Sequence, residues 1–210
     1  MIWFLESGQY QYMIMLLIAL ILSLSFHEYG HAIVAKWYGD DTAQKAGRLT
    51  LNPISHIDPV GLMMVIFVGF GYAKPVPVNP QNFTSRFADL WVSAAGPFMN
   101  LLVALVVWNF YLSTYTLGWY SPGAGQFFTY LTQINLLLML FNLLPIGPLD
   151  GHYILPYFLP RKLSRMYRVY NAKYGTGIFL GLVLLSVLGL PLLTWLSELS
   201  AFMLTAITLV

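Results

Sequence analysis

YMIMLLIALILSLSFHEYGH, residues 12–31, runs apolar from Tyr12 to Phe26 and then turns abruptly into His27-Glu28-Tyr29-Gly30-His31. A helix rises about 1.5 Å per residue, so about 20 apolar residues cross the hydrocarbon core of a bilayer. Tyr12 to Val34 is long enough, and it carries ionisable groups at one end. The rest of the chain agrees with a membrane setting. Of 210 residues, 58% are hydrophobic and only 9% charged, against about a quarter charged in an ordinary soluble domain. The mean hydropathy is +0.69. A soluble enzyme, a disordered chain and a nucleic-acid binder are therefore excluded, and a net charge of +2 suggests no polyanion partner. With no cysteine, disulfides, thiolate zinc sites and iron–sulfur clusters are excluded too. Any metal must be held by imidazole and carboxylate.

Working outward, Trp91 to Tyr115 and Phe127 to Leu144 read as further spans, and Gly175 to Leu193 as another. Leu199 to Val210 is short, and is expected to return as a half-helix or lie at the interface. Val60 to Tyr72, with Gly61, Gly69 and Gly71, is too short to cross and runs into the proline-rich Lys74-Pro75-Val76-Pro77-Val78-Asn79-Pro80. It is read as re-entrant, because irregular backbone at membrane depth needs protein or a wet cavity around it. Charge placement supports that reading. With the N-terminus outside, Lys36, Lys45, Arg48, Lys74 and Arg86 share the cytoplasmic side with Arg161, Lys162, Arg165, Arg168 and Lys173. The expectation is an all-α polytopic membrane protein with about four to six transmembrane helices. It is read as a single integral-membrane domain, 1–210, with a catalytic core over about 11–155 and C-terminal helical segments over about 174–210. No basic flank precedes Tyr12, so the first span is read as retained rather than as a signal peptide.

Residues four apart share a helix face, so His27 and His31 can reach one zinc ion with Glu28 beside them as a proton acceptor. Ionisable groups inside a membrane helix are costly and mark function. A catalytic zinc takes three protein ligands. Glu6 and Glu198 fall on the wrong side, and Asp40 and Asp41 read as solvated in a polar loop. Asp58, Asp89 and Asp150 remain as carboxylates, with His56 and His152 as imidazole rivals. Asp150 is favoured. It follows Asn142-Leu143-Leu144-Pro145-Ile146-Gly147-Pro148-Leu149, where prolines break a span and leave irregular backbone. The competing reading is that Asp150 caps the next segment, since Asp before Gly is common in turns.

These two motifs together resemble the site-2 protease family of intramembrane zinc metalloproteases. The resemblance covers roughly residues 20–155. It implies zinc on His27, His31 and Asp150, Glu28 as the catalytic carboxylate and Asn142 as a residue that holds substrate. Gly47 to Pro53, His56-Ile57-Asp58-Pro59, Lys74 to Pro80 and Ala95-Gly96-Pro97-Phe98-Met99-Asn100 are similar to the small bacterial and archaeal branch that lacks PDZ and CBS domains. That branch implies a prokaryotic cell membrane and a partly β re-entrant segment along which an unfolded substrate strand can pair. Asn100 is read as a packing amide between helices, His152 as a supporting or interfacial group, and Asp58 equally as cap or cavity residue.

The function expected is zinc-dependent hydrolysis of peptide bonds in membrane-spanning substrates near the cytoplasmic side. The alternative is a zinc-handling membrane transporter or sensor without peptidase activity. A transporter would spread polar sites along a path, whereas these gather at one depth. The partners expected are a membrane-spanning protein and the lipid bilayer.

Overall fold

A computed structural model of the chain describes residue 4 and residues 6–68, 71–119 and 121–209. Gly69 of the short segment and Val210 of the last run lie outside the described residues. Eight α-helices are described: α1 Tyr10–Trp37, α2 Thr42–Lys45, α3 Pro59–Val68, α4 Ala88–Thr116, α5 Pro122–Asn142, α6 Gly151–Ile154, α7 Arg161–Val187 and α8 Thr194–Ala206. The described residues contain no strand.

Helices α1, α4 and α5 are long and apolar enough to cross a membrane. They pack on one another, and many buried positions of the first two are small: Ala19, Ser23, Ala32 and Ala35 on α1, Ala95 and Ala104 on α4. Small residues let backbones approach where lipid removes the hydrophobic drive between helices. Gly30 marks a close backbone approach of α1 to α4, since a Cβ there would lie 2.7 Å from the Ala95 carbonyl oxygen. The opposite side of α4 carries Phe98, Leu102, Val106 and Phe110, four residues apart and all exposed. An apolar stripe of this length fits lipid rather than water.

α1 stops cleanly at its polar end. Gly39 takes a φ of 95°, so the amides of Gly39 and Asp40 turn back to the carbonyls of Lys36 (3.0 Å) and Ala35 (2.9 Å). Asp40, expected in solvent, is fully buried. Its Oδ2 accepts from the Asn79 amide at 2.7 Å, and its Oδ1 accepts from the Thr42 amide at 3.1 Å and Asn82 Nδ2 at 2.8 Å. Three connections are thereby knotted onto one carboxylate. Burial alone would raise its pKa, but bonds from the Thr42 hydroxyl, Asn79 and Asn82 outweigh that and hold it below the usual carboxylate range. Asp41 does sit near the surface, paired with Lys45 at 2.8 Å.

The short segment folds as a helix followed by extended chain that doubles back. Asp58 starts α3 by accepting from the amides of Val60 and Gly61, both at 2.9 Å. Beyond residue 70 the chain returns so close that a Cβ on Gly61 would sit 2.0 Å from the Tyr72 carbonyl oxygen. The two ends are joined, the Lys74 amide donating to the His56 carbonyl at 2.9 Å.

The last two helices begin earlier than the apolar runs that announce them, at Arg161 rather than Gly175 and at Thr194 rather than Leu199. α7 begins at Arg161, just after Pro160, because nothing in the basic run breaks a helix. The last run returns as α8 against the bundle, where Ile207 joins Ala104 and Leu136 in a buried cluster. Asn109 of α4 caps its end, donating to the Ile207 carbonyl and accepting from the Leu209 amide, both at 2.8 Å.

Candidate functional site

The two imidazoles of α1 project toward α4, four residues and one turn apart. His31 Nδ1 donates to the Val92 carbonyl at 2.7 Å. His27 Nδ1 lies 2.6 Å from Asn100 Oδ1. The orientation of that amide is forced. Asn100 Nδ2 points at the Ser23 carbonyl (3.2 Å), which can only accept, so Oδ1 faces the ring and His27 Nδ1 must carry the proton. Asn100 Nδ2 also donates to Asn135 Oδ1 at 2.8 Å, Asn135 Nδ2 donates to Ser23 Oγ at 2.7 Å, and Ser23 Oγ donates to the Ala19 carbonyl at 2.7 Å. All of these side chains are buried.

With each Nδ1 donating, a neutral ring turns its Nε2 lone pair inward, and the two Nε2 atoms face each other at 3.0 Å. Asp150 Oδ2 stands 3.2 Å from His27 Nε2, and Oδ1 stands 3.4 Å from His31 Nε2. Two imidazole nitrogens and a carboxylate converge on a point where a cation, a proton or a metal ion, is needed to hold them together. Asp150 Oδ2 is buried without a hydrogen-bond donor, which adds to that demand. Ligand atoms about 2.0–2.1 Å from a tetrahedral zinc stand about 3.3 Å apart, so the spacing fits. Among the described residues, His27, His31 and Asp150 form the group able to hold a metal ion. Gly96 keeps the space open, because a Cβ there would lie 2.4 Å from His31 Nε2 and 2.6 Å from His27 Cε1.

Asp150 reaches this point from the turn that follows α5. α5 ends at Asn142, and Pro145 and Pro148 keep the chain irregular until Gly151 starts the single turn of α6. A Cβ on Gly151 would lie 2.3 Å from the Leu143 carbonyl oxygen, so the turn is too tight for any other residue. The capping reading is not what is seen, since the Asp150 side chain makes no cap bond to α6.

Glu28 is buried, and its Oε2 accepts from the Val76 amide at 2.8 Å. The extended stretch after α3 is thus fastened beside the imidazoles. Arg48 reinforces it, donating from Nη2 to the Lys74 carbonyl.

Other sequence candidates are used elsewhere. His56 is buried with Nε2 donating to the Thr50 carbonyl at 2.8 Å and Nδ1 3.5 Å from Arg48 Nη2, so it is a loop residue rather than a rival ligand. Asp58 caps α3. His152 Nδ1 lies 2.6 Å from Asn171 Nδ2. Asn142 turns its Nδ2 back to the Leu138 carbonyl at 3.0 Å and makes no hydrogen bond to the three converging groups. Asn100 does more than pack helices, because it fixes a ring proton. Asn135 and Ser23 were missed, although an amide deep in an apolar run is itself a signal.

The chain matches the profile described as peptidase family M50 over residues 15–121 and 119–186. It is 44% identical over 171 residues to YwhC of Bacillus subtilis, named as a candidate zinc metalloprotease, covering 79% of this chain and 78% of that one. It is 32% identical over 141 residues to Rip2 of Mycolicibacterium smegmatis, 63% of this chain and 52% of that one. With Rip2 of Mycobacterium tuberculosis the identity is 33% over 159 residues, 70% of this chain and 58% of that one. Both Rip2 proteins are likewise named as candidate zinc metalloproteases. No solved structure gives a significant match.

Proposed function

The chain belongs to peptidase family M50 and is an intramembrane zinc metalloprotease, and on that premise we propose which residues perform the reaction and on what substrate. His27, His31 and Asp150 hold the zinc, Glu28 moves the proton, and Asn142 lies along the substrate path. The observation that carries this is the convergence of two Nε2 atoms and the Asp150 carboxylate, 3.0 to 3.4 Å apart.

When bound, zinc supplies Lewis acidity, polarising a carbonyl and lowering the pKa of its water toward about 7. The protein does the remainder. Glu28 Oε2 is occupied by the Val76 amide, so Oε1 is left to accept the proton of the attacking water and return it to the leaving amine. Asn100 and the Val92 carbonyl keep each imidazole proton on Nδ1, which holds both Nε2 atoms in the ligating state.

The substrate is a membrane-spanning helix that unwinds locally, because a helix hides its carbonyls from attack. The stretch 71–79 receives the unwound strand. Lys74 and Val76 turn their amides inward to His56 and Glu28, so by alternation Pro75 and Pro77 face the other way. Having no N–H, these prolines offer an incoming strand only acceptors. The hairpin of α3, closed at His56 and Lys74, re-enters rather than crosses: ten helical residues rise about 15 Å, half the hydrocarbon core. The basic residues then share the cytoplasmic side of a prokaryotic cell membrane, where cleavage takes place, and the chain works as one domain.

Elemental analysis of detergent-purified protein tests the ligands. Wild type is expected to hold near-stoichiometric zinc, Asp150→Ala to lose it, and Glu28→Gln to keep it. In cells, profiling of new protein termini should find membrane-protein fragments with wild type that vanish with Glu28→Gln. Zinc retained by a folded Asp150→Ala would overturn the ligand assignment.

A further inference from the structure

The Asp150 carboxylate is bonded to nothing in its own turn, yet it must meet imidazoles carried on another helix. The turn from Pro145 to His152 is held instead from outside, by one face of α7. Tyr167, Asn171 and Gly175 are spaced four apart and share that face. The Tyr167 hydroxyl donates to the Pro145 carbonyl at 2.7 Å. Asn171, buried, accepts from the Gly147 amide at 3.0 Å through Oδ1 and lies 2.6 Å from His152 Nδ1 through Nδ2. A backbone N–H can only donate, so the carboxamide fits one way round, with Nδ2 donating to His152. Two glycines make room for it. A Cβ on Gly147 would lie 2.4 Å from Asn171 Nδ2, and one on Gly175 would lie 2.4 Å from Oδ1.

We propose that Asn171 is a positioning residue for Asp150, gripping the turn at Gly147 and His152 so that the carboxylate is aimed at the imidazoles before metal arrives. This rests on Asp150 being the third zinc ligand. α7 contributes no ligand of its own. Its other buried residue is Gly175, so the helix meets the catalytic turn through the carboxamide and the glycine that admits it. A ligand on an irregular turn loses affinity when its support loosens, because metal binding must then also order the turn.

The test uses the full chain in detergent, loaded with zinc or with cobalt(II). Asn171→Leu, similar in size but unable to form either bond, is expected to release zinc to a competing chelator about tenfold more readily. Its cobalt(II) form should show shifted visible ligand-field bands at saturating metal, which a general loss of stability would not produce. A folded Asn171→Leu with wild-type zinc retention and unchanged cobalt bands would overturn the proposal. Should that variant fail to fold, the metal-free wild type decides by hydrogen–deuterium exchange. The Gly147 amide must be strongly protected there, and exchange at the rate of an open loop would equally overturn it. Asp150→Ala separates this from the ligand reading. Zinc kept by Asp150→Ala undoes the ligand, whereas zinc lost from Asp150→Ala but kept by Asn171→Leu undoes only the grip.

Discussion

The imidazole pair and the Asp150 carboxylate meet at one point but are built in opposite ways. His27 and His31 ride a 28-residue helix and are locked into a helix–helix contact by a buried amide network. Asp150 sits on a proline- and glycine-broken turn that makes no bond to the carboxylate and depends on α7 for its shape. The first half is rigid because the secondary structure is; the second is rigid only where distant side chains make it so. A three-ligand site can therefore fail through crowding on one side and through loosening on the other.

Crowding should have the larger effect. Gly96→Ala puts a methyl group 2.4 Å from His31 Nε2, one of the three converging groups. Forcing α1 and α4 apart costs about 1–3 kcal/mol, and zinc content should fall to background with a lowered melting temperature. Normal zinc in this variant would show that the helix pair is less rigid than the turn, reversing the comparison. Next comes Asn100→Leu, which strands the His27 Nδ1 proton and frees the ring to turn. Zinc affinity is expected to drop about ten- to hundredfold in chelator competition, at or above the loss for Asn171→Leu. A smaller drop than that of Asn171→Leu would place the weak point on the imidazole side.

The smallest effect lies outside both halves. Asp40 has a folded-state pKa below its unfolded value, so its contribution is complete above the unfolded titration near about 3.9 and fades as pH falls toward the lower folded value. Asp40→Asn should thus melt below wild type at neutral pH, with the gap closing under acid and zinc content unchanged. A gap that stays constant down to strong acid would remove Asp40 from the pH response.

The imidazole half was readable in residues 12–31 because helical spacing alone puts His27 and His31 on one face. The identity of Asp150 as the converging carboxylate was readable from broken backbone at membrane depth, but its support was not. Tyr167 and Asn171 lie about 20 residues downstream among the basic residues that follow Pro160, and no local pattern links them to Gly147. Asp40 failed for the same reason. A carboxylate in a polar loop reads as solvated until Asn79 and Asn82, far along the chain, fold onto it. The early start of α7 was hidden because hydropathy marks lipid contact, whereas the helix follows from propensity after Pro160. The stretch 71–79 carries no ladder among the described residues, so its role toward a strand could not be read from pairing within the chain.

The chain of bonds from His27 through Asn100, Asn135 and Ser23 to the Ala19 carbonyl has every hydrogen pointing the same way, away from the imidazole. Aligned donors polarise one another, which pushes electron density toward His27 Nε2. Yet a carboxamide accepts on oxygen and donates from nitrogen, so it cannot receive a proton on one side and release it from the same atom on the other. The interior of the bundle therefore carries an electrically polarised track that does not conduct. Ionisable groups are thereby held inside an apolar bundle by bonds that offer a proton no through route.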